Sequence, residues 1–198
     1  YRDLGYLPEA LFNFVALLGW SPEGEEELFT QEELIKIFDE NRLSNSPAAF
    51  DRDKLLWIGN EYMKKADLQR VVDLAFPHLI KAGLVEDNPS QETIEWATRL
   101  VGLYQEQMAY GAQIVELASL FFNEDLKLDQ ASIDELSSET GLVVVKAIKE
   151  KLTQLPEEEF VAENVRPLMN EIRDEHDIRG RQLFMPIRIA VSGVMSGP

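Results

Sequence analysis

Apolar residues recur along this chain at helical rather than strand spacing. Leu7, Ala10, Leu11, Phe14, Val15 and Leu18 share one broad face, with Pro8 suited to a first turn and Gly19 to a C-terminal cap. Thr30 and Glu33 stand at capping-box spacing, and Phe29 with Leu34 fits a hydrophobic staple, so a second helix is predicted over about residues 31–39. Ser46-Pro47 breaks the chain. Asp51 is placed to cap a helix carrying Leu55, Leu56, Ile58 and Tyr62, with Trp57 and Asn60 on neighbouring faces. A further helix starts near Asp67 and meets Pro77, which is expected to end or kink it before Gly83. Residues 86–89 form a turn-rich joint, and Ser90 caps a long helix through Trp96, Leu100 and Leu103. After Gly111 another helix presents Ile114, Val115, Ala118, Phe121 and Phe122. Residues 123–129 are polar and loop-like, and helical patterns return over 143–155 and 162–176. Only Leu142 to Val145 reads like a strand, between stronger helix signals. The pattern therefore predicts an all-α fold without a fixed repeat.

Composition narrows the class. With 198 residues, 45% of them hydrophobic, the chain can bury a core of its own. It contains no cysteine, which removes disulfides and thiolate metal sites and points to a reducing compartment, the cytoplasm. Its apolar runs fall short of the roughly 20 residues that cross a bilayer, so no membrane association is expected. A net charge of −17 repels a polyanion at long range and suits a soluble acidic protein or an interaction module. The average conceals local contrast. Glu23, Glu25, Glu26, Glu27, Glu32, Glu33, Asp39 and Glu40 face one Lys36, whereas residues 179–198 hold three arginines and no acid.

Chemistry-bearing motifs are sparse. His78 and His176 lie far apart without metal-ligand spacing, no glycine-rich phosphate loop precedes a helix, and no nucleophile elbow occurs. No catalytic or metal site is expected. Trp20, Trp57, Trp96, Phe121 and Phe122 are able to stack on bases, but core packing is the commoner role for such residues, Trp57 included. Arg179, Arg181 and Arg188 offer planar donor forks for phosphate or base edges, and equally fit ordinary surface charge.

Three blocks carry a family resemblance. Tyr1-Arg2-Asp3-Leu4-Gly5-Tyr6-Leu7-Pro8-Glu9-Ala10-Leu11-Phe12-Asn13-Phe14-Val15-Ala16-Leu17-Leu18-Gly19-Trp20 resembles the segment after the Lys-Met-Ser-Lys-type loop of glutamyl-tRNA synthetases. Phe50-Asp51-Arg52-Asp53-Lys54-Leu55-Leu56-Trp57-Ile58-Gly59-Asn60-Glu61-Tyr62 resembles the family's stem-contact region, and Leu183-Phe184-Met185-Pro186-Ile187-Arg188-Ile189-Ala190-Val191-Ser192-Gly193 its C-terminal block. The resemblance implies the bacterial-type, class I glutamate-tRNA ligase. It implies a helical stem-contact region at residues 1–66, followed by a two-lobed helical anticodon-binding region at 67–125 and 126–198. The family's ATP-binding motifs, of His-Ile-Gly-His and Lys-Met-Ser-Lys type, do not occur in this sequence. The chain is thus expected to be an inactive, monomeric fragment that binds tRNA, with ATP and magnesium implied for a catalytic domain elsewhere.

In the Arg-rich C-terminal stretch, Arg181 and Arg188 are the leading candidates for tRNA contact, since an acidic protein must attract RNA through a few focused cations, with Lys54 and Trp57 behind them. Gln107 falls where members that accept only glutamate tRNA commonly carry an arginine facing the third anticodon base. An amide both donates and accepts, whereas a guanidinium only donates. The resemblance therefore implies a member that charges glutamate and glutamine tRNAs alike. The alternative is an acidic helical module that docks a basic protein.

Overall fold

The computed structural model describes residues 1–44, 49–122 and 128–196, and among them it is all-α. It divides into two compact units, Tyr1–Phe122 and Asn123–Gly197. The break expected at Ser46-Pro47, and most of the joint expected at residues 123–129, lie outside the described residues.

In the first unit, α1 (Pro8–Gly19) packs on α3 (Arg52–Lys65) and on α2 (Gln31–Ile37), while α4 (Leu68–Lys81) packs on α5 (Gln91–Tyr104). The helix starts form where expected. Thr30 and Glu33 close a reciprocal capping box, and the Asp51, Asp67 and Ser90 side chains accept from Lys54 N, Gln69 N and Thr93 N. One buried cluster draws Leu7, Ala10 and Phe14 from α1 and its entry, Leu55 and Ile58 from α3, Val71 and Leu79 from α4, and Leu100 from α5. It therefore spans both sides of residue 66.

Three expectations change. Of the end or kink expected at Pro77, the end does not occur, because α4 runs on to Lys81. An internal proline costs about 3 kcal/mol. Burying Val71, Val72, Ala75 and Leu79, each at most 5% exposed, offsets that at roughly 1.5–3 kcal/mol per large side chain. The terminator is Gly83 at φ +70°, where Leu84 N donates to Leu79 O and Gly83 N to Ile80 O. Gly19 is not a left-handed cap but the last residue of α1. Trp20 follows it in extended conformation, because the indole is buried with Phe29 and Leu34 and donates to Asp39 O. The helix expected after Gly111 breaks into a 3₁₀ turn (Gly111–Gln113), α6 (Ile114–Leu117) and another turn (Ser119–Phe121). That break lets Phe121 and Phe122 both meet Trp96 edge-on, at 6.4 and 5.6 Å between ring centroids.

The second unit contains α7 (Gln130–Ser137), α8 (Glu139–Gln154), α9 (Ala162–His176) and α10 (Arg181–Ser192). Leu142 to Val145 is helical, as its flanks predicted. Val144, Ile148, Ile172, Leu183 and Ile187 form the core. Lys151 of α8 reaches Glu171 and Glu175 of α9 at 2.9 and 3.0 Å, and these carboxylates raise its pKa by hydrogen bonding.

Candidate nucleic-acid interface

Gln107 closes a 3₁₀ turn (Gln105–Gln107) at the end of α5 and is exposed. Its side chain has no hydrogen-bond partner among the described residues. The backbone around it, by contrast, is fixed to α3. The Asn60 amide donates to Glu106 O at 2.8 Å and to Met108 O at 2.9 Å, gripping the carbonyls on either side of Gln107. Gln105 donates from its own amide to Met63 O and Ala66 O, carbonyls where α3 ends. Gly59 makes the approach possible, because a Cβ there would stand 2.6 Å from the Ala109 carbonyl oxygen. Gly111 does the same against α4, where a Cβ would meet Leu74 O at 2.3 Å. The segment bearing Gln107 is thus held between two helices, and its free amide is presented on a fixed backbone.

Trp57 lies one turn before Asn60 on α3 and one turn after Lys54. Contrary to its expected core role, Trp57 is 43% exposed, since α3 turns Leu55, Ile58, Gly59 and Met63 inward instead. Lys54 is committed to an ion pair with Glu27 at 2.5 Å. Helix α3 therefore carries Lys54 and Trp57 and also holds the Gln107 turn through Gly59 and Asn60. Trp20 is buried and unable to stack on a base, while Trp96 and Phe122 are half-buried against each other. Phe121 keeps 46% exposure.

On α10 in the second unit, Arg181 and Arg188 are seven residues apart and share one side of the helix. The opposite side is the buried one, formed by Leu183, Pro186, Ile187 and Ile189. Arg181 is exposed and reaches Glu135 at 3.4 Å, and Arg188 is half-buried. Arg179 pairs with Asp177 at 3.0 Å.

The acidic stretch is partly neutralised by structure. Glu27 holds Lys54, Glu23 lies 3.6 Å from Arg42, and the Glu33 carboxylate accepts from Thr30 N and Thr30 Oγ1, which holds its pKa below the usual range. Burial and the neighbouring Lys81 lower the pKa of His78, and no group of three or more metal-ligating side chains occurs among the described residues. No helix among them is long and apolar enough to cross a membrane. Sequence reasoning missed Gly59 and Asn60 as the residues that position Gln107. Both stand in the quoted Phe50 to Tyr62 block, but their partners lie 46 and more residues away.

Residues 70–198 match the family model described as the anticodon binding domain, and residues 1–57 match that of the catalytic domain of class I tRNA synthetases (E and Q). Among solved structures, the whole chain resembles a glutamate tRNA ligase from Elizabethkingia meningosepticum, solved in complex with its amino acid, at 26% identity and a TM-score of 0.76. It also resembles the glutamate-tRNA synthetase of Elizabethkingia anophelis at 26% identity and a TM-score of 0.77. It spans 38% and 37% of the lengths of those chains.

Proposed function

We propose that this chain, which belongs to the anticodon binding domain family and carries at residues 1–57 a stretch of the class I (E and Q) tRNA synthetase family, is the tRNA-binding portion of a glutamate-tRNA ligase. The observation that carries this reading is the order of the two matches along one chain, supported by its likeness to two glutamate-tRNA ligases over its whole length. Residues 1–66 are read as the stem-contact region, with 67–125 and 126–198 as the lobes that hold the anticodon. In the complete, cytoplasmic enzyme this portion grips tRNA so that the 3′ end reaches the activated amino acid. ATP and magnesium belong to that activation. The described residues supply no cluster of magnesium ligands.

Arg181 and Arg188 are assigned to tRNA contact. An acidic protein needs focused cations, and both project from one side of α10. Trp57 offers an exposed ring to the stem and Lys54 a charge shared with Glu27. Gln107 is assigned to the third anticodon base, where its amide accepts as well as donates. The enzyme is therefore expected to charge both glutamate and glutamine tRNAs. Binding of glutamate tRNA to the purified chain, weakening steeply with salt and weakened by Arg188→Ala, tests the reading. Absence of salt-sensitive tRNA binding, with retention of a basic protein instead, would establish the acidic docking module.

A further inference from the structure

Helices α1 and α2 leave an apolar groove between them. Phe12, Ala16 and Trp20 stand at four-residue spacing along one side of α1 and its exit, so they run in a line for about 12 Å. Leu34, Ile35 and Phe38 line the other wall, from α2 and its end, and the groove holds about 310 Å³. Its floor is fixed, because Trp20 and Leu34 are buried with Phe29, and the Phe38 ring lies 5.9 Å from the indole between centroids. The walls are uncovered. Phe12 is 44%, Phe38 55% and Ile35 68% exposed, and at roughly 200 Å² for a large side chain they leave on the order of 300 Å² of apolar surface in water. Contiguous patches of that size are among the largest a monomer shows, and they commonly mark binding surfaces.

The charge around the groove selects what fits it. Glu32 lies three residues before Ile35 on α2, Asp39 and Glu40 follow Phe38 directly, and Glu25 and Glu26 stand in the connection from α1 to α2. All five are exposed, and Glu25, Glu26, Glu32 and Glu40 have no ion-pair partner among the described residues. Helix α2 itself supplies one cation, Lys36. An acid-bordered apolar groove repels RNA phosphates and anionic lipid. It also repels a second copy of itself, because a two-fold interface sets like border against like. A partner with a cationic border is attracted. Both walls come from helices, whose backbone groups bond internally, so an incoming segment finds side chains rather than a strand edge. An amphipathic helix meets both demands: its apolar stripe lies between Phe12 and Ile35, and Lys or Arg beside the stripe faces the carboxylates.

We propose that the α1/α2 groove is a docking site for a basic amphipathic helix of a partner protein, separate from the surface that meets tRNA. The proposal stands on the groove and its border and does not rest on the tRNA-binding reading. Truncating one anchoring side chain at the centre of such a contact weakens binding about 10-fold or more.

The test uses fluorescence anisotropy with two labelled helical peptides of roughly 18 residues. One carries a Leu stripe at helical spacing with Lys on both borders, and the other has Glu in place of each Lys. Titrated with the purified chain and with the complete enzyme, the Lys peptide should bind both, bind less tightly as salt rises, and bind at least about 10-fold more tightly than the Glu peptide. Ile35→Gln and Phe12→Gln, both at exposed positions, should each weaken it about 10-fold while circular dichroism and tRNA affinity stay at parental values. Glu32→Gln combined with Glu40→Gln should flatten the salt dependence. Equal binding of the two peptides refutes the basic partner. No binding of the Lys peptide, or an Ile35→Gln chain that binds it like the parent, refutes the site. Binding by the chain but not by the complete enzyme shows that the rest of that enzyme fills the groove, and a concentration-dependent dimer abolished by Ile35→Gln shows a second copy there; either overturns the proposal. Displacement of the peptide by glutamate tRNA overturns it as well, by making the groove part of the tRNA surface.

Discussion

Gly59→Ala is expected to lower the stability of the first unit by up to about 2 kcal/mol and to loosen the presentation of Gln107. The added methyl would lie 2.6 Å from the Ala109 carbonyl oxygen, and because that oxygen is backbone, a side chain cannot swing away to relieve the clash. Overpacking of this kind costs about 1–3 kcal/mol. If the segment instead withdraws, Asn60 loses its bonds to Glu106 O and Met108 O, each contributing about 0.5–1.5 kcal/mol. Against this stands the helix preference for alanine over glycine, about 1 kcal/mol. Gly102 in α5 is the matched control. A Cβ there meets only the Leu68 side chain at 3.4 Å, an ordinary contact, so Gly102→Ala keeps the propensity gain and is expected to be neutral or stabilising by up to about 1 kcal/mol. Urea unfolding of both variants, followed by far-ultraviolet circular dichroism, measures the difference, and tRNA affinity reports on the Gln107 turn. If the two substitutions shift the midpoint equally, or if Gly59→Ala stabilises, the reasoning from close approach is refuted.

Asn13 is fully buried, donates to Glu27 O at 2.8 Å and accepts from Phe29 N at 2.6 Å, so Asn13→Ala should cost about 2–4 kcal/mol in urea unfolding by leaving these groups unpaired. Tyr62→Phe, which removes the hydroxyl that donates to Phe29 O, should cost less, and a reversed order would count against the network. The folded-state pKa of Glu33 is lowered by its bonds to Thr30, so the unfolded state binds more protons as pH falls. Its contribution is complete above the ordinary glutamate value and is lost as pH drops through the lowered one. Glu33→Gln should flatten that acid limb of a stability-against-pH profile, and an unchanged limb would place the titration elsewhere. In the complete enzyme, Gln107→Arg should abolish charging of glutamine tRNA while sparing glutamate tRNA, read by misacylation of both. Strict rejection of glutamine tRNA by the parent would remove the basis for assigning Gln107 to specificity.

Helix starts were legible in the sequence because each depends on atoms only two or three residues apart. Asp51 caps Lys54 N, and Thr30 with Glu33 closes on itself, in any fold that lets the helix form. The all-α class was legible for the same reason, since apolar spacing is a property of one helix at a time. The resemblance that pointed to tRNA was likewise carried by contiguous blocks, and Arg181 and Arg188 stood out by local charge.

What lay beyond local reading was decided by partners distant in sequence. Pro77 stays inside α4 because burial against the core outweighs the lost bond. Trp20 and Trp57 are the same residue type in one unit, yet Trp20, in the extended segment after α1, is buried and Trp57, on α3, is 43% exposed, according to what the rest of the unit covers. Gly59 and Gly102 are both helical glycines, and only the carbonyl of Ala109, 50 positions along, makes one of them irreplaceable. The tertiary structure alone set Gln107 on a turn held by Asn60, because short-range preferences specify where a helix forms but not which of its faces another helix will cover.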